Sequence, residues 1–375
     1  MVRSNFRFGI RSSFRAIAVT FSLLLAGTVG CHAQTPAVLS PAAATTRDDF
    51  RKLVMSDRKA GPLNATSLSV MDVGAVRVER MRFTPEEGQD ATVVLYRPKA
   101  EAKYPTVILQ HFLGGSKDHP VIGMVANSLA QKGFLVAAMD GRYRGERQRG
   151  TSLEAAMAES LRSGKGHPFL VDTAYDITRL VDVLAARPDV DPKRIGMTGI
   201  SEGGILTWMC AALDERIRVA VPIIGVTCFG DCFNAFGPES AARVKLFEPV
   251  LLDYAKSQGG KEIDGMLLRS AWDKLVPGML DRFDSGKMLP LIAPRPLLIL
   301  SHENDELFPV EGARKVYGEV KPRYQELKVE DRLDFRVAPK LKHASASFQD
   351  LAAMLQEIGG MTEWMEKWLK NAPAS

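Results

Sequence analysis

Residues 194–213 read RIGMTGISEGGILTWMCAAL, and the order of residue types along this stretch decides the fold. A short apolar run ends in Gly199-Ile200-Ser201-Glu202-Gly203, and a second apolar run of helical length follows. In that setting G-x-S-x-G marks a tight strand-to-helix turn with a serine at its apex. The backbone there is strained, and side chains two residues to either side of the serine would collide. Glycine at 199 and 203 removes the collision. The serine oxygen then stands exposed at a helix N-terminus, which favours developing negative charge. Ser201 is therefore the candidate nucleophile, and the alternative is a purely structural turn.

Working outward, strands and helices alternate. YPTVILQHF, FLVAAMD, RIGMTGI, RVAVPIIG, PLLILSHEND and DFRVAPKLKH read as strands. PVIGMVANSLAQKG, PFLVDTAYDITRLVDVLAAR, SEGGILTWMCAAL and the terminal TEWMEKWLK read as helices. Short, wholly apolar strands separated by helices predict a mostly parallel sheet covered on both faces, an α/β class. Two strands near Val76–Thr84 and Ala91–Pro98 precede it, joined by PEEGQD as a hairpin-like pair. Residues 226–296 interrupt the alternation as a helical insertion before the penultimate strand. It lies where it would cover the carboxyl ends of the strands, as a lid or pocket wall, or else as ordinary surface helices. Asn234, Phe236, Trp272 and Phe283 are its scattered polar and aromatic residues.

A serine at its ordinary pKa needs a base, and the base needs an orienting carboxylate. In this turn context the chain order is serine, acid, histidine. Only His302 and His343 follow Ser201. His302 precedes the acid candidates, so His343, after the last strand, is the expected base. Asp305, just past PLLIL, is the expected acid, with Glu303 and Glu306 as neighbours able to substitute. The oxyanion needs two N–H donors. One is the backbone N–H of Glu202. The other belongs to His111-Phe112-Leu113-Gly114-Gly115, with Leu113 first and Phe112 in reserve. His111 and Phe112 are substrate-pocket candidates. The Glu202 side chain is expected to face solvent, the alternative being contact with substrate. DGRYRGER, residues 140–147, reads as an ion-paired structural loop.

The run from Gly141 to Gly204, with VAVPIIGV and IAPRPLLIL after it, resembles acetyl xylan esterase-like and dienelactone hydrolase-like α/β-hydrolases, near the prolyl oligopeptidase branch of that fold. The resemblance spans roughly Val93 to Leu369. It implies the α/β-hydrolase fold, a serine hydrolase acting on carboxylic esters, and a triad at Ser201, Asp305 and His343. It implies no cofactor and no metal. Glu202 departs from the family's usual Leu or Gln after the nucleophile, and Phe112 stands where Gly is usual. The expected substrate is a small-molecule or carbohydrate ester such as acetyl xylan. The rival readings are a prolyl oligopeptidase-like peptidase, for which the chain lacks room for a propeller, and a non-catalytic binding protein on a hydrolase scaffold.

The N-terminus reads as an export signal. Arg3, Arg7, Arg11 and Arg15 precede an apolar run from Ala16 to Val29, too short for a comfortable membrane span. Those four arginines supply most of the net charge of +5, leaving the rest at +1. Near-neutral charge gives no reason to expect nucleic acid as a partner. Residues 1–33 are the expected signal peptide. One form of it ends in lipidation at Cys31, which would tie the protein to a membrane, and the other in cleavage after Ala33; the alternative is an uncleaved N-terminal anchor. The expected destination is the periplasm or the medium. Residues 34–70 read as a flexible tether and N-terminal extension, and 71–372 as the hydrolase domain. Export would permit disulfides, and Cys228 and Cys232 are close enough for a local bridge. Cys210 reads as an inert buried thiol.

Overall fold

The computed structural model describes residues 39–235, 238–343 and 348–371, and side chains outside 234–242 and 344–352. The expected signal peptide and Cys31 lie outside the described residues, as do the side chains of Asn234 and Phe236. In chain order the elements are α1 (Pro41–Met55), β1 (Thr66–Val73), β2 (Val76–Glu86), β3 (Gln89–Pro98), β4 (Tyr104–Gln110), α2 (Pro120–Gln131), β5 (Leu135–Met139), α3 (Leu153–Ser163) and α4 (Val171–Ala185). Then come β6 (Val190–Ile200), α5 (Glu202–Leu213), β7 (Ile217–Ile223), α6 (Phe229–Ala235), α7 (Pro238–Ser257), α8 (Gly265–Leu275) and α9 (Ser285–Met288). The chain closes with β8 (Leu297–Asn304), α10 (Val310–Glu326), β9 (Leu333–Lys342) and α11 (Phe348–Met365).

The nine strands form one sheet in the order β1-β2-β3-β5-β4-β6-β7-β8-β9. The first three meet β5 as antiparallel neighbours, and the six from β5 to β9 run parallel. This is the mostly parallel sheet that the apolar strands predict. Every residue of β4 and β5 is buried, because helices cover both faces. Alternate residues feed opposite cores. Ile108, Ala137 and Met197 pack towards α4 and α5, whereas Val107, Val136 and Val221 pack towards α2 and α11.

Chain order reverses at β4, which has β5 on one side and β6 on the other. Ligands of open α/β sheets bind at such a switch point, outside the carboxyl ends of the strands. Gln110 pairs with Gly199 there, so the His111 loop and the Ser201 turn leave the sheet side by side.

The structure corrects the N-terminal reading. Pro41–Met55, within the expected tether and extension, is a helix, and the Ser40 side chain accepts the Ala43 N–H and caps its first turn. Proline at the first helical position suits this start. Phe50 and Val54 on its inner face are wholly buried, and Phe50 meets Phe283 edge-to-face at 5.2 Å. The hairpin is a three-stranded meander, because β1 adds an outer strand whose eight residues are all exposed. Cys228 and Cys232 are not bridged.

Candidate active site

Ser201 sits at φ +57° and ψ −111°, between β6 and α5. An L-residue held there stores strain, which the surroundings must impose. They do so by close packing. A Cβ at 199 would lie 2.5 Å from the Gly203 carbonyl oxygen, and one at 203 would collide with the carbonyl oxygens of Gln110 and His111. The turn is pinned because Ser201 N–H donates to the Ile223 carbonyl at 2.9 Å.

Ser201 Oγ lies 2.9 Å from His343 Nε2. On the other side of the ring, Nδ1 is 2.9 and 3.0 Å from the two oxygens of Asp305. A carboxylate accepts only, so Nδ1 carries the proton and Nε2 turns its lone pair to the serine. Asp305 is itself fixed, because its Oδ1 accepts the N–H groups of Leu307 and Phe308, both at 2.8 Å. The Phe308 ring stacks on the His343 imidazole at 5.4 Å. The competing acids are engaged elsewhere. Glu303 accepts the Lys340 N–H, and Glu306 the His343 N–H. His302 is buried behind the site. Its Nδ1 donates to the Lys342 carbonyl at 2.8 Å and its Nε2 approaches Glu357 at 3.3 Å. Burial alone would lower its pKa, but the Glu357 carboxylate outweighs burial and raises it.

A small cavity of about 40 Å³ opens on Ser201 and Glu202, with Leu113 in its wall. His111 and Phe112 do not line it, which corrects their placing as pocket residues. His111 is buried, accepts the Gly141 N–H at Nε2 and donates from Nδ1 to the Phe112 carbonyl. It ties the loop after β4 to the loop after β5. Phe112 packs edge-to-face on His119 at 4.8 Å.

Glu202 is also corrected. Its side chain is buried rather than solvent-facing, and it pairs with Arg144 Nη2 at 3.1 Å. Arg144 is a site residue that the sequence reading missed. It belongs to the loop at 140–147, which is heavily ion-paired. Asp140 binds Lys117 Nζ at 2.8 Å, and Asp176 binds both Arg142 and Arg147. Burial would push the Asp176 carboxyl up, but those two guanidinium groups hold it below the usual carboxylate range. Among the described residues, no group of three or more His, Cys, Asp or Glu is gathered as a metal ion would require.

This geometry has the layout of a serine acyl-transfer site on an α/β-hydrolase scaffold. Residues 48–229 match the family model described as acetyl xylan esterase (AXE1). The protein named "Putative hydrolase YtaP" of Bacillus subtilis (strain 168) is 27% identical over 327 residues, covering 84% of this chain and 95% of its own. Among solved structures, an acetyl xylan esterase from Paenibacillus sp. R4 superposes with a TM-score of 0.59 at 16% identity, covering 87% of this chain and 96% of that one. Methylesterase BT1017 gives the same TM-score at 17% identity, with this chain spanning 62% of its length. At such identities these two structures speak for the fold. The chain has the α/β-hydrolase fold, and over residues 48–229 it is similar to the acetyl xylan esterase family. As an enzyme it is a carboxylic ester hydrolase.

Proposed function

We propose that this carboxylic ester hydrolase works through an acyl-enzyme formed on Ser201. The observation that carries the reading is the unbroken line from Ser201 Oγ through the His343 ring to Asp305. Ser201 Oγ attacks the ester carbonyl while His343 Nε2 takes its proton. The resulting oxyanion is held by the N–H groups of Glu202 and Leu113. Collapse breaks the bond to the alcohol oxygen, which leaves with the proton from Nε2. Water then repeats the sequence on the acyl-enzyme, giving the acid and free Ser201. Asp305 keeps Nδ1 protonated and stabilises the imidazolium without taking the proton. The match to the acetyl xylan esterase family supports a carbohydrate as the alcohol part.

The test is hydrolysis of p-nitrophenyl acetate by the wild type and Ser201→Ala. Loss of turnover in the variant is expected, and equal rates would remove Ser201 from the mechanism. The same proposal has the enzyme exported, on the basic-then-apolar pattern of residues 1–33. Mass spectrometry of the mature N-terminus separates lipidation at Cys31 from cleavage that leaves Gln34 first, and an intact Met1 terminus would refute both cleavages and favour an uncleaved anchor.

A further inference from the structure

The stretch that carries His343 is not held as an ordinary strand end. β8 and β9 pair in register as far as His302 and Ala338, and the next pair is Asn304 with Lys342. Three residues of β9, Pro339 to Leu341, therefore stand against Glu303 alone. Pro339 has no N–H to give to a ladder. Lys340 sits at φ +64°, in the left-handed region, where an L-residue is strained. A bulge of this kind re-aims the side chain beyond it but gives up ladder hydrogen bonds.

Side chains from residues 302–306 replace those bonds. Glu303 accepts the Lys340 N–H at 2.8 Å, Glu306 accepts the His343 N–H at 3.4 Å, and His302 Nδ1 meets the Lys342 carbonyl at 2.8 Å. Glu303 and Glu306 are exposed, so water can stand in for either bond. His302 is 5% exposed, and the carbonyl it holds belongs to the residue immediately before the base. A carbonyl only accepts, so Nδ1 carries a proton. On the other side of the ring Nε2 faces the Glu357 carboxylate at 3.3 Å, which favours the imidazolium against the cost of burial. The bond to Lys342 is then charge-assisted and stronger than a neutral one.

Resting on the Ser201 mechanism above, we propose that His302 is a positioning residue for the base: its Nδ1–H fixes the Lys342 carbonyl and thereby the peptide from which His343 reaches Ser201. That reach is short, with His343 Nε2 2.9 Å from Ser201 Oγ. A misplacement of about 1 Å can cost on the order of 10²-fold in rate. His302 does not line the cavity beside Ser201, so its loss should act on kcat and spare KM.

The experiment compares two substitutions that separate the ring nitrogens. In His302→Asn the amide N–H lies where Nδ1 was, keeps the Lys342 bond and gives up Glu357. In His302→Gln the amide lies where Nε2 was, keeps Glu357 and gives up Lys342. kcat and KM for p-nitrophenyl acetate are measured with Tm, and Ser201→Ala is run in parallel. His302→Gln should lose about tenfold or more in kcat with KM nearly unchanged, whereas His302→Asn should keep kcat within about threefold of wild type even as its Tm falls. Wild-type kcat in folded His302→Gln would overturn the inference. Equal losses in both variants would also overturn it, because a role in stability alone does not distinguish the Lys342 bond from the Glu357 pair. His302→Ala deletes the Lys342 bond as well and takes the place of His302→Gln if that variant does not fold. Any of these results leaves the Ser201 reading standing. Undiminished turnover by Ser201→Ala would overturn that reading, and the inference with it.

Discussion

Replacing Asp305 by Asn changes one atom and should nearly abolish catalysis. The side chain is anchored because its Oδ1 accepts two backbone N–H groups at 2.8 Å. An asparagine at this position keeps its oxygen on those donors, so its NH₂ faces His343 Nδ1. An amide donor there, in place of the oxygen 2.9 Å from Nδ1, favours the tautomer in which Nδ1 accepts and the ring proton sits on Nε2. Nε2–H then points at Ser201 Oγ across the 2.9 Å contact and cannot take its proton. In serine triads, imposing this tautomer costs on the order of 10⁴ in kcat, or about 5 kcal/mol of barrier. The assay is kcat for a p-nitrophenyl ester near pH 7, with thermal unfolding run in parallel. The backbone anchors survive in Asp305→Asn, so Tm should stay close to wild type. A loss below tenfold in folded protein would refute the orienting role of Asp305.

The Glu202–Arg144 pair is buried on both sides, so removing one partner strands the other. Glu202→Gln should cost about 3 kcal/mol in urea unfolding, and adding Arg144→Met should recover more than half of it. A fully additive double variant would argue against the coupling. The pKa of His302 is raised in the fold above its ordinary value of about 6.5. The stability it contributes is therefore complete below that value and lost as pH rises through the folded one. The gap between wild type and Glu357→Gln should be wider at pH 5.5 than at pH 9, and a constant gap would contradict this. Burial pushes the Cys228 thiol up to about 12 and Cys210 well above its usual range. Both should resist a thiol reagent at pH 8 until denaturant is added, as unreactive buried thiols do. Rapid labelling of folded protein would contradict the burial.

The parts of the site written in one short stretch were legible in the sequence. The Ser201 turn needs only its own glycines and flanking apolar runs, and Asp305 and His343 follow from chain order. What escaped depends on residues distant along the chain. Glu202 looks exposed as a charged residue at a helix start, and only the fold brings Arg144, 58 positions earlier, against it. His111 looks like a pocket residue until Gly141 is seen to donate to it. Helix α1 was hidden by its Ala, Pro and Thr content, although Ser40-Pro41 is a helix-start signature. Strand β1 has both faces exposed, so no alternation of apolar and polar residues marks it. The insertion showed its aromatic residues but not that several converge on one cavity.

The most direct test is to trap the intermediate. Wild-type enzyme turning over a slowly deacylated p-nitrophenyl ester is quenched in acid and examined by intact and peptide mass spectrometry. The account predicts one added acyl mass per chain, on the peptide that contains Ser201, and none in Ser201→Ala. Undiminished turnover with no adduct on that peptide would contradict it.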